Sequence, residues 1–170
     1  MADAPERQSG LPAEIGDSPT ILILGSFPSV QALREGQYYR HRQNQFWRIM
    51  HDLAGIPLDL PYHERIALLQ EQGIALWNII HSCVREGSMD HRISRPKLAD
   101  LPGLLERHPT IRHIALNGRK ADDLLKRGFP EIVERYDLRR LPSTSPAYAQ
   151  MHYDEKLAAW SVVRDWIAER

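Results

Sequence analysis

The sequence predicts an α/β fold of three layers, α/β/α, around a central, mainly parallel sheet of four strands. Three observations carry this. Short apolar runs alternate with helical periodicities along the chain, as parallel strands joined by crossover helices do. One run, Ile74–Ile80 (IALWNII), is apolar almost throughout, as a strand covered on both faces should be. Two long polar stretches follow two of the runs, and open α/β sheets hold ligands at those C-terminal strand ends.

The first strand is Thr20–Leu24, too short an apolar run for a helix. Gly25–Gln43 follows as a long loop rich in Gly, Tyr, Arg, His and Gln, with neither helical nor strand period. Loops of that length inside a domain are uncommon and usually functional. Asn44–Ala54 is predicted as a helix, with Phe46, Trp47, Met50 and Leu53 at core spacing and Gly55 just past its end. Tyr62–Gln72 is a second helix, ended by Gly73, and Ile74–Ile80 the second strand. His81–Pro96 is another polar loop, followed by a helix around Lys97–Arg107 and a third strand, Ile111–Leu116. An amphipathic helix, Arg119–Arg127, stops at Gly128 and Pro130, and Ile132–Tyr136 has no clear assignment. Leu138–Leu141 is the fourth strand, and Tyr153–Glu169 closes the chain as one helix with Leu157, Trp160, Val163, Trp166 and Ile167 on one face.

Residues 1–19 carry acidic residues, Pro and Gly without an apolar core, and are expected to form a flexible tail rather than a signal peptide. Residues 20–170 then form a single domain. No apolar run approaches the ~18 residues of a membrane span. The lone Cys83 excludes an intrachain disulfide and any site built on several cysteines, which fits a cytoplasmic protein. Lys plus Arg equals Asp plus Glu, 22 against 22, so any nucleic-acid contact must rest on local charge. No G-x-G-x-x-G follows the first strand, which counts against a dinucleotide-binding domain.

Four segments together resemble one family: ILGSFPS (23–29), YYRHRQNQFW (38–47), GIALWNIIHSCVREGSMD (73–90) and LPSTSPAYA (141–149). In this order, each at an apolar strand, they resemble the uracil-DNA glycosylase superfamily, and within it the hypoxanthine-DNA (deoxyinosine) glycosylase branch. The second segment also resembles the aromatic-x-His-Pro-x-Asn-x-Phe-Trp stretch of mismatch-specific uracil/thymine glycosylases. Three positions depart from the pattern: Arg42 stands where Pro is expected, Asn78 where this branch often has Asp, and Ser26 where other branches carry Asn or Asp.

The resemblance implies hydrolysis of the N-glycosidic bond of a flipped, deaminated base, leaving an abasic site. Because Ser26 replaces the usual water-activating residue, it implies Asn44 as the catalytic group. A carboxamide does not titrate in the useful range. The Asn44 carbonyl would orient water and its amide group bond its neighbours, while hydrogen-bond donors stabilise the departing base. From the residues alone, Asn44 reads first as a helix N-cap, and one side chain can do both. Tyr39 matches the aromatic that stacks on the flipped base, at ~1–3 kcal/mol. Gly25 and Ser26 would bring backbone N–H groups to the base, Phe27 would pack beneath it, and Asn78 would read its edge, a carboxamide suiting a lactam N–H/C=O pair. Ser143, Thr144 and Ser145 would hold phosphate, with Tyr148 in a wedge entering the base stack. Arg42, with Arg40, His41 and Arg48, would form a basic rim.

The lysines, Lys97, Lys120, Lys126 and Lys156, lie outside these segments, so a monofunctional enzyme without covalent lyase chemistry is expected. No metal or cofactor is required. The expected partner is double-stranded DNA containing a deaminated base, single strands being an alternative, with no membrane association and a monomeric state. Two other readings remain: a glycosylase for uracil or another mispaired base, and a non-catalytic DNA- or nucleotide-binding module of the same fold.

Overall fold

The computed structural model describes residues 4–170. In chain order the elements are β1 (Arg7–Ser9), β2 (Ile21–Gly25), α1 (Val30–Glu35), α2 (Phe46–Ala54), α3 (Tyr62–Glu71), β3 (Ile74–Asn78), β4 (Ile80–Val84), β5 (Ser94–Leu98), α4 (Leu101–Arg107), β6 (His113–Asn117), α5 (Arg119–Gly128), α6 (Pro130–Arg135), β7 (Asp137–Leu141), α7 (Tyr153–Trp160) and α8 (Val162–Ala168). The central sheet runs β3-β2-β6-β7, and every pairing in it is parallel.

Side-chain alternation along β2 divides the core. Ile21 and Ile23 face one cluster with Phe46, Met50, Leu69, Trp160 and Trp166, from α2, α3, α7 and α8. Leu22 and Leu24 face another with Leu104, Leu105, Leu125 and Ile132, from α4, α5 and α6. All four β2 side chains are fully buried, so the apolar run reports a strand sandwiched between two helical layers. The expected α/β/α architecture around four parallel strands is the one observed.

A second, antiparallel sheet, β1-β4-β5, lies outside that expectation. The stretch read as a tail supplies β1, whose Gln8 pairs with Cys83. It then runs along the central sheet, where Glu14 and Leu76 exchange backbone hydrogen bonds of 2.9 Å. Its backbone thus occupies the open side of edge strand β3, which would otherwise present unpaired groups. Residues 1–3 of the expected tail lie outside the described residues. The run Ile74–Ile80 is also not one strand: the chain leaves the central sheet at Ile79 and enters the second sheet as β4. The polar stretch after it forms β4, a short 3₁₀ turn and β5, so Lys97 and Leu98 are strand rather than helix. Pro96 in β5 is tolerated because β5 is an edge strand.

Three smaller differences have local causes. Ser29 caps α1 inside the long first loop by accepting from the Ala32 N–H at 3.1 Å. Ile132 anchors α6 into the core. The closing helix breaks at Ser161, whose hydroxyl donates to the Ala158 carbonyl at 2.6 Å and competes with the helical ladder.

Candidate active site

The parallel register places Gly25, at the end of β2, beside Asn78 of β3, and Asn117 of β6 beside Leu141 of β7. Leu24 pairs with Leu116, so Asn117 flanks Gly25 on its other side. Asn78 is only 5% exposed, and its Oδ1 has no hydrogen-bond partner among the described residues. Gly25 is required by this approach: a Cβ there would sit 2.8 Å from Asn78 Nδ2 and 3.5 Å from the Tyr39 hydroxyl. Buried polar atoms normally find partners, and an orphaned carbonyl beside a residue lacking a side chain is the feature of a site built for a ligand.

Tyr39 reaches this row because Tyr38 is pinned. The Tyr38 hydroxyl donates to the Pro12 carbonyl at 2.8 Å, its N–H donates to the Tyr62 hydroxyl at 3.0 Å, and its carbonyl accepts from Trp47 Nε1 at 3.2 Å. The chain then turns through Tyr39 with φ of 57°, a left-handed conformation rare outside glycine. Strain of that kind persists where surrounding contacts enforce it, and it concentrates at functional sites. The Tyr39 ring stacks on Phe46 with centroids 4.0 Å apart. One ring face is therefore occupied by protein, and the hydroxyl, buried without a hydrogen bond among the described residues, lies beside Gly25 in the strand-end row. Burial pushes the phenol up to about 12, partly opposed by the nearby Asn117 side chain, so it is a proton donor.

Asn44 is half-buried at the mouth of α2, and its Oδ1 accepts from the Phe46 N–H at 2.9 Å. Gln45 holds the cap position of α2 without a side-chain bond, and Asn44, one residue ahead, satisfies the first helical N–H. The carbonyl expected to orient water is thus engaged, and among the described residues its amide group makes no hydrogen bond. Asn44 lines a cleft of about 280 Å³ together with Tyr39, Arg40, His41, Arg42, Arg48 and Arg65. Arg42 and Arg48 are exposed, whereas Arg40 pairs with Glu35 and Arg65 packs over Trp47 at 4.3 Å. On a chain of zero formal charge this is a local basic face. Asn44 and Tyr39 stand between it and the strand-end row.

The serine loop behaves differently from expectation at one residue. Thr144 is 1% exposed: its Oγ1 accepts from Asn117 Nδ2 and its N–H donates to Asn117 Oδ1, each at 3.0 Å. Its carbonyl accepts from the Gln45 N–H at 3.0 Å. Thr144 is an internal joint that ties β6 to the start of α2, with no hydroxyl facing a phosphate. Ser143 and Ser145 accept from the N–H groups of Ser145 and Ala147, each at 3.2 Å, and stay partly exposed. Tyr148 is half-buried: its carbonyl accepts from Lys156 Nζ at 3.3 Å, and its ring lies 5.4 Å from that nitrogen. Phe27 packs in the core on the α4–α6 side, with the Arg85 guanidinium 5.0 Å over its ring.

Sequence reasoning missed Asn117, Arg85 and Asp90. Asn117 ends the third strand's apolar run, in LNGRKA (116–121), where nothing local sets it apart from an ordinary turn residue. Arg85 is 3% exposed, donates to the Pro28 carbonyl, and has no partner for Nε or Nη1 among the described residues. Asp90 Oδ1 accepts from the Ser26 hydroxyl at 2.7 Å. Both were inside a quoted segment, where a polar loop hid them.

A parallel α/β/α sheet with an unpartnered amide oxygen at its strand ends, beside a basic cleft, has the groups to take an uncharged, hydrogen-bonding ligand next to a polyanion. The profile of the uracil DNA glycosylase superfamily matches residues 12–166, and the chain belongs to that superfamily. It is 38% identical over 141 residues to a protein of Methanosarcina acetivorans named hypoxanthine DNA glycosylase, covering 81% of this chain and 86% of that one. A Methanosarcina barkeri protein of the same name is 31% identical over 118 residues, covering 69% and 75%. A solution NMR structure from Methanosarcina acetivorans, described as a candidate uracil DNA glycosylase, superposes with a TM-score of 0.81 at 34% identity, covering 96% of this chain and 99% of that one.

Proposed function

We propose that this protein is a monofunctional DNA glycosylase that removes hypoxanthine from deoxyinosine in DNA, leaving an abasic site. The observation that carries the reading is the unpartnered Asn78 Oδ1 beside side-chain-free Gly25. That carbonyl accepts from the ring N–H of a lactam base, and the Asn78 amide or the Tyr39 hydroxyl donates to the adjacent ring carbonyl. Adenine carries the opposite pattern and leaves the same groups unpaired, which such sites reject strongly. Membership of the superfamily and the names of the two relatives support the same class of substrate.

In this reading the nucleotide leaves the duplex at a cost of a few kcal/mol, least at a mispair. Arg42 and Arg48 hold the phosphates, and Ser143 and Ser145 contribute hydroxyls and N–H groups from the loop after β7. The Asn44 amide group orients the attacking water at the sugar. The protein acts as a cytoplasmic monomer on double-stranded DNA.

A second reading, uracil in place of hypoxanthine, is favoured by the same Asn78 carboxamide, because both bases present an N–H beside a carbonyl. Single-turnover assays on duplexes carrying deoxyinosine, deoxyuridine, deoxyxanthosine or a G·T mispair decide between them. Alkali-labile sites should form fastest at deoxyinosine. Preference for deoxyuridine would select the second reading, and no cleavage of any duplex would remove the enzymatic assignment.

A further inference from the structure

Hydrolysis leaves one proton without an acceptor. The attacking water must lose it, yet the Asn44 carboxamide is a negligible base, and its Oδ1 already accepts from the Phe46 N–H at 2.9 Å. The sugar also develops positive charge, which a neutral amide stabilises weakly. Among the described residues, Asp90 holds the carboxylate that hydrogen-bonds the turn at the end of β2, and it does so 64 residues away in sequence.

The placement is built rather than incidental. Three contacts fasten the 85–90 turn to the chain after β2. Buried Arg85 donates to the Pro28 carbonyl, Ser88 Oγ accepts from the Val30 N–H at 2.9 Å, and Asp90 Oδ1 accepts from Ser26 Oγ at 2.7 Å. Ser26 is nine-tenths buried and follows Gly25 directly, so the carboxylate is held at the edge of the strand-end row. Asp90 itself is exposed, and its Oδ2 has no hydrogen-bond partner among the described residues. The neighbours of Asn44 reach the same row: the Tyr39 hydroxyl lies beside Gly25, and the Gln45 N–H donates to Thr144, which is bonded to Asn117.

We infer that Asp90 is a second catalytic group, a carboxylate that takes the proton of the attacking water and faces the positive charge developing on the sugar. The inference rests on the glycosylase reading above. In the step, the water oxygen bonds to the sugar carbon C1′, and the C1′–N bond breaks with its electron pair leaving on the base. The water proton passes to Asp90, and the base anion is protonated from solvent, to which Asp90 returns its proton. Ser26 thus fills the place of the acid or amide of other branches indirectly, by holding a carboxylate brought from another loop.

Asp90→Asn is the informative variant, because an amide oxygen still accepts from Ser26 while the charge is gone. Wild type is assayed first on the four-duplex panel; if it releases no base, the function reading fails before Asp90 is tested. On the duplex that wild type cleaves fastest, Asp90→Asn should slow single-turnover release at least ~10²-fold, as loss of a general base does, with duplex affinity and Tm unchanged. Sodium formate should restore at least tenfold of the rate of Asp90→Ala, relative to sodium chloride at equal ionic strength. A rate within threefold of wild type, a loss that tracks Tm or DNA affinity, or no recovery with formate overturns the assignment.

Discussion

Asn117 and Thr144 grip each other through two hydrogen bonds of 3.0 Å, carboxamide to hydroxyl and backbone N–H to carboxamide oxygen. The pair joins the end of β6 to the loop after β7, and the Thr144 carbonyl carries the connection on to Gln45, the neighbour of Asn44. Truncating Asn117 to Ala would strand a buried hydroxyl and a buried N–H, each costing ~1–3 kcal/mol. Asn117→Ala should therefore lose roughly 2–4 kcal/mol in urea unfolding. Base release should fall further than stability explains, because the mouth of α2 loses its anchor.

Asn44 combines two tasks that substitutions can separate. Asn44→Ala removes the cap on Phe46, costing ~1 kcal/mol, and also the amide that orients water. Asn44→Ser can restore a cap without restoring the amide. Both variants should release base at least ~10²-fold more slowly at nearly unchanged DNA affinity, while only the alanine variant is less stable. Recovery of the rate in Asn44→Ser would reduce Asn44 to a helix cap.

Much of this arrangement was legible in the chain. β2, β3 and β6 show as apolar runs because their faces are covered, whereas β7, DLRRL, is largely exposed; α2 shows because Phe46, Trp47, Met50 and Leu53 share one side. Asn78 stood out as a polar residue inside an apolar run, and Asn44 through the resemblance of its segment. The second sheet was hidden because β1 and β5 are short, polar and exposed, and they exist through pairing with β4 that no local period encodes. Thr144 reads like its serine neighbours; only the facing Asn117 makes it internal. Asp90 was invisible for the same reason, since its meaning lies in a hydroxyl 64 residues earlier.

The tyrosines around the first loop should make folding alkali-sensitive. Burial raises Tyr39 to about 12 and pushes Tyr38 and Tyr62 up as well. Each binds its proton more tightly folded than unfolded, so the stability it contributes is full below the unfolded value near 10 and is lost as pH rises toward the folded value. Urea midpoints should fall steeply between pH 10 and 12, less so in Tyr39→Phe. The same variant, keeping its stack on Phe46 but lacking the hydroxyl, should bind duplex normally and discriminate less between lactam bases and adenine.

Arg42 tests the basic face separately from the chemistry. It is exposed in the cleft that Asn44 lines and makes no ion pair among the described residues. Arg42→Ala should weaken duplex binding about equally for damaged and undamaged DNA. The slope of log affinity against log salt should become shallower by about one, the loss of a single phosphate contact. A change confined to the damaged duplex would place Arg42 at the base instead.

Tyr148 now rests on Lys156, whose charged form burial already disfavours. For the loop to enter a base stack, the Tyr148 ring must leave that nitrogen, trading one contact with a cation for stacking on a neighbouring base worth ~1–3 kcal/mol. The exchange gains most when the departing base leaves a hole in a paired duplex, and gains little on a strand that is already unstacked. Tyr148→Ala should accordingly slow release from a well-paired duplex by about tenfold or more, and release from the same sequence as a single strand by no more than about twofold. Equal losses on the two substrates would show that Tyr148 supports the loop from within and leaves flipping to another group.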